Sequence, residues 1–184
     1  MNRRAFLSAL GVALATVTQA RAQFIPPDVY YNIVVAASKD NVEDVRTFLA
    51  ENVNPNVTDL TGRTALSFAA ASDNTEIARL LIDAGAAVDI KDKSGNAPLH
   101  FAAQNSHVRV LQMLLAAHAT ADIQNRQGVT PLMMAAGEGS VPVVTALLKA
   151  GADPRKQDFS GRDAFGWAVG RPPALRVLQD APRR

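Results

Sequence analysis

Along residues 26–180 two short apolar stretches alternate, and the alternation returns every 33 residues. The first stretch of each unit ends in a small pair: Ala36–Ala37, Ala69–Ala70, Ala102–Ala103 and Ala135–Ala136. The second reads V45-R-T-F-L, I77-A-R-L-L-I, V110-L-Q-M-L-L and V143-V-T-A-L-L. Apolar residues three and four apart give a short helix one buried face. A polar stretch precedes each unit, with Gly62, Gly95, Gly128 and Gly161 in register. The pattern predicts stacked helix–turn–helix units, with the two helices of a unit joined near 73–75, 105–107 and 138–141. No unit can cover its own apolar face, so stability must come from its neighbours.

Around those glycines the chain reads D59-L-T-G-R-T-A-L-S-F-A-A, D92-K-S-G-N-A-P-L-H-F-A-A and N125-R-Q-G-V-T-P-L-M-M-A-A. A weaker copy is D158-F-S-G-R-D-A-F-G-W-A-V, and P26-P-D-V-Y-Y-N-I-V-V-A-A stands one period earlier. Pro98 and Pro131 suit a first helical position, where a missing N–H costs nothing. Gly85 and Gly151 fall where the second helix must end left-handed. Asn52 and His118 hold the equivalent places, and His118 is the less suited to positive φ.

The period, the heads A97-P-L-H-F-A and T130-P-L-M-M-A, and the ends D83-A-G-A and K149-A-G-A-D resemble the ankyrin repeat over about residues 26–180. The resemblance implies an all-α solenoid of about five helix–turn–helix repeats with hairpin-like loops. A capping repeat would cover 26–58, full repeats 59–91, 92–124 and 125–157, and a truncated capping repeat 158–180. It also implies a non-catalytic module that binds a folded protein through its loop tips and concave helix face.

Specificity is expected where the copies disagree, because the scaffold does not dictate those residues. Arg63, Lys93, Asn96, Arg126, Val129, Phe159 and Arg162 lie at the loop tips, and Gln104 follows a small pair. Arg63, Lys93, Arg126 and Arg162 make one edge mildly positive, which suits either an acidic partner or a solvated rim. Val35, Phe68, Phe101, Met134 and Trp167 form a ladder one period apart. It either packs between repeats or presents an apolar stripe with aromatic anchors.

No catalytic motif is present, and G137-E-G-S-V-P lies between two helices with no strand before it, unlike a phosphate loop. His100 occupies the position that braces the turn between repeats, His107 opens a second helix, and His118 lies in a loop. Asp83, Asp89 and Asp92 read as solvated loop charges. Neither a metal site nor a cofactor is expected, and enzyme or small-ligand binding is the weakest alternative. Cysteine is absent, which excludes disulfides and thiol chemistry.

The amino end changes the reading of charge. Three of the 19 basic residues lie within the first 22, which hold no acid, and the remaining 16 stand against 17 acidic residues. That balance gives no surplus for nucleic-acid binding. N2-R-R-A-F-L, followed by a dozen weakly apolar residues and A20-R-A22, resembles a twin-arginine export signal with a signal-peptidase site. Arg3, Arg4, Phe6 and Leu7 would form the signal, Ala20 and Ala22 the cleavage site, and 1–22 would be removed. The expectation is a bacterial periplasmic protein without a permanent membrane anchor, its partner periplasmic or co-exported. A monomer is expected. Self-association as a structural envelope protein, through Phe165, Trp167 and Leu175, is the alternative; an ordinary secretory signal is the alternative route.

Overall fold

The computed structural model describes residues 27–181. Their helices run in pairs: α1 Pro27–Ser38 with α2 Val42–Ala50, α3 Ala65–Ser72 with α4 Thr75–Asp83, and α5 Pro98–Gln104 with α6 Val108–Ala116. Then follow α7 Pro131–Glu138 with α8 Val141–Lys149, and α9 Ala164–Trp167 with α10 Pro172–Gln179. Among the described residues there is no strand, only an isolated bridge between Thr58 and Thr64. The odd-numbered helices stack in one layer and the even-numbered ones in a second, each touching its counterpart in the next pair. The molecule is thus an all-α solenoid of about five repeats.

Side-chain caps start several of the helices. Thr64 and Thr130 accept at Oγ1 from the N–H groups of Ser67 (3.2 Å) and Met133 (3.3 Å), capping α3 and α7. Asn41 and Asn74 cap α2 and α4 in the same way, through Asp44 N–H (3.2 Å) and Ile77 N–H (3.0 Å). Asn52 and His118 adopt φ of 59° and 63°, as their places demand, beside Gly85 and Gly151 at 81° and 92°. A second left-handed set closes the first helices at Asp40, Asp73, Ser106 and Gly139, again one period apart.

The core follows from the pattern. All eight residues of the alanine pairs are buried, so the backbones of α1, α3, α5 and α7 approach closely. Leu66, Leu99 and Leu132 fill one layer, and Leu81, Leu114 and Leu147 the other. Each fully buried leucine contributes about 2 kcal/mol from apolar transfer alone. The last pair is reduced: α9 has 4 residues where α7 has 8.

Candidate functional site

The polar stretches between pairs fold into stacked loops whose first residue organises each tip. Asp59 Oδ1 accepts from Thr61 N–H (2.8 Å), Thr61 Oγ1 (2.7 Å) and Arg63 N–H (2.9 Å). Asp92 Oδ1 accepts from Ser94 and Asn96 N–H, both at 2.8 Å. Asn125 does the same for Gln127 (2.9 Å) and Val129 (3.0 Å), and Asp158 for Ser160 (2.9 Å) and Arg162 (3.0 Å). Backbone rungs join the tips: Lys93 N–H to Thr61 C=O (2.9 Å), Arg126 N–H to Ser94 C=O (3.0 Å) and Phe159 N–H to Gln127 C=O (2.9 Å). The tips therefore form one continuous edge.

Asp92 and Asp89 are not idle solvated charges. Asp92 holds its own turn, and Asp89 takes Thr120 N–H (3.2 Å) and Thr120 Oγ1 (2.6 Å) from the next repeat. Lys91 Nζ donates to Gln124 C=O at 2.8 Å, another link across one period.

Phe68, Phe101, Met134 and Trp167 of the ladder lie half-buried against the core beside this edge. Over Phe68 and Phe101 it is not bare. The Arg63 guanidinium sits between them, 4.2 Å from one ring centroid and 4.3 Å from the other. Arg162 covers Trp167 at 4.6 Å. Trp167 Nε1–H donates to Asp158 Oδ2 (2.9 Å), which Arg162 also approaches at 3.3 Å. Burial pushes the Asp158 carboxyl up, but bonds from the Ser160 hydroxyl, the Arg162 N–H and Trp167 outweigh it, holding the group well below the usual carboxylate range.

An open groove of about 890 Å³ lies where the last three repeats meet this edge. Gln104, Val129, Met134, Phe159, Arg162 and Trp167 are among its walls. Phe159 is 78% exposed on its rim, whereas Val129 is 6% exposed and forms floor rather than tip. Lys93, Arg126 and Gln104 are exposed. Asn96 is half-buried and accepts from Asn125 Nδ2 at 3.0 Å, so it serves the scaffold as well as the surface.

His100 is 1% exposed. Its Nδ1 accepts from Ala97 N–H (3.1 Å), so Nε2 carries the proton and donates to Val129 C=O (3.1 Å). Burial lowers its pKa to about 4. His107 Nδ1 lies 3.1 Å from Ala70 C=O, tying α6 to the preceding repeat. Among the described residues no three His, Asp or Glu side chains come together to hold a metal ion, and no helix is long and apolar enough to cross a membrane. Arg3, Arg4, Phe6, Leu7, Ala20 and Ala22 lie outside the described residues.

The loop rungs, the Arg63 stack and the left-handed closures at 40, 73, 106 and 139 were not read from the sequence. The closures carry a signal, a shared period, but Asp, Asp, Ser and Gly hide it by sharing no residue type. A family model for three copies of the ankyrin repeat matches residues 33–127, and one for a single copy matches 127–159. No curated protein matches the chain. With the three-copy match alone covering more than half its length, the chain belongs to the ankyrin-repeat family.

Proposed function

We propose that this protein works in the bacterial periplasm as a non-catalytic adaptor, docking a folded partner against its loop edge and inner-helix face. Ankyrin repeats are typically protein-interaction modules without catalysis of their own. The observation that carries the reading is the groove with Phe159 78% exposed on its rim, on loops that backbone rungs hold in place. A surface fixed before binding loses little entropy on docking. The periplasmic part rests on the N2-R-R-A-F-L motif and A20-R-A22. A stack of local contacts folds fast and needs no disulfide, which suits export in the folded state.

Cross-linking in a periplasmic extract is expected to recover one partner in stoichiometric amount. Recovery of the protein alone, across salt and growth conditions, contradicts the adaptor reading. Arg3→Lys with Arg4→Lys is expected to trap the precursor in the cytoplasm. Normal export of that variant would assign the signal to the general secretory route instead.

A second reading, self-association through the last repeat, draws on Val169, which is 78% exposed, and on a second cavity of about 780 Å³ lined by Phe165 and Leu178. Sedimentation as a monomer at every concentration removes it.

A further inference from the structure

Two guanidinium groups lie on aromatic rings of the inner-helix face, and they differ in what balances their charge. Arg162 has Asp158 at 3.3 Å. Arg63, held between Phe68 and Phe101, has no carboxylate of the described residues within ion-pair distance. Its Nε is sealed in without a partner, its terminal nitrogens make no hydrogen bond to any described residue, and the residue as a whole is half-buried. Asp59 and Asp92 lie close enough to offset part of its charge, and each also holds its own loop through Oδ1. A guanidinium fixed between two rings loses little further freedom when it binds an anion.

The next two loops continue the row. Lys93 and Arg126 are exposed and form no ion pair with a described residue. The rungs from Lys93 N–H to Thr61 C=O and from Arg126 N–H to Ser94 C=O keep the three loops in register. The row then meets the groove, where Met134, Phe159 and Trp167 supply apolar wall. Of the acids on this face, Asp73 pairs with Arg109 at 3.3 Å, while the exposed Glu138 lines the same groove as Arg126 and Arg162. Arg63, Lys93 and Arg126 thus stand in register along one edge that leads to a recess with apolar walls and one exposed carboxylate, Glu138.

Resting on the interaction-module reading, we propose that the partner presents an acidic segment in extended form. Its carboxylates meet Arg63, Lys93 and Arg126, and an aromatic or large aliphatic side chain enters the groove beside Trp167. Two repeats separate the Arg63 loop from the Arg126 loop. A third step reaches Trp167, so at roughly 8–10 Å per packed helix layer about 27 Å, or about eight extended residues, separates first acid from apolar anchor. Bidentate carboxylate binding suits a fixed guanidinium better than it suits a lysine.

The probe is a synthetic peptide of about nine residues, alternating Glu and Ser and ending in Phe, its length set by the reach of an extended chain. Trp167 is the chain's single tryptophan, so its fluorescence reports the groove directly. The full mature chain is expected to give a saturable change that weakens as salt rises. Exchanging every Glu for Lys, or removing the Phe, is expected to weaken binding at least about tenfold. Arg63→Gln should weaken it about tenfold, with the smaller loss of stability from the missing ring stack read separately from the melting midpoint. Should Arg63→Gln lose its fold, Lys93→Ala with Arg126→Ala, both at exposed positions, gives the same comparison on a folded chain. Three results overturn the proposal: no saturable response to the acidic peptide, equal binding of the Lys peptide, or tighter binding of an oligothymidylate. Stoichiometric capture of a natural partner that Arg63→Gln leaves unchanged would remove the acidic chemistry while leaving the adaptor in place.

Discussion

His100 shows how much a single side chain can carry in this stack. It satisfies the Ala97 N–H and the Val129 C=O at once, one in its own repeat and one in the next. Its period-mate in the following repeat, Met133, offers Thr130 N–H only a thioether at 3.4 Å. Protonating His100 would turn its accepting Nδ1 into a second donor facing Ala97 N–H. The folded pKa of about 4 lies below the ordinary 6.5, so the neutral form belongs to the fold. Its stabilising effect is complete above pH 6.5 and is lost as pH falls from 6.5 toward 4. Between pH 7.5 and 5 the loss should be about 2 kcal/mol. His100→Gln should flatten that slope, whatever it does to stability at pH 7.5. Denaturant titrations at both pH values check this, and an equal slope in the two proteins refutes it. The bracing role of His100 was legible in its place in the head A97-P-L-H. The depressed pKa was not, because it depends on burial by the next repeat.

At the scale of elements, the period located both helices of each pair and the glycine at each tip, but not what the glycine faces. Gly95 and Gly161 share φ of 83°. A Cβ on Gly95 would lie 2.6 Å from Arg126 N in the next loop, whereas one on Gly161 meets nothing within 4 Å. Conformation alone makes alanine costly at both, by about 1–2 kcal/mol. Gly95→Ala must also break the rung from Arg126 to Ser94, so it should cost at least about 1 kcal/mol more than Gly161→Ala. Equal melting shifts for the two variants would show that the loop stack contributes little. The charged tips were legible as a row; that Arg63 sits on two rings was not. Nothing in the order of residues says which tip folds back onto the ladder, since Arg63 and Phe101 are joined only by stacking.

Over the whole molecule, the repeats supply a scaffold and the differences between them supply a surface. The balance of 16 basic and 17 acidic residues beyond residue 22 conceals a sorted arrangement. Loop aspartates are engaged by backbone N–H groups, while Lys93 and Arg126 remain exposed beside them. Counting charges could not reveal this, because hydrogen bonding and not number decides which charges reach a partner. The central claim is that the loop edge and inner-helix face form the docking surface. Hydrogen exchange of the captured complex, compared with the protein alone, tests it most directly. Added protection is expected at the tips 59–63, 92–96, 125–129 and 158–162 and along α5, α7 and α9, with the even-numbered helices unchanged. Protection confined to α2, α4, α6, α8 and α10 would contradict the account.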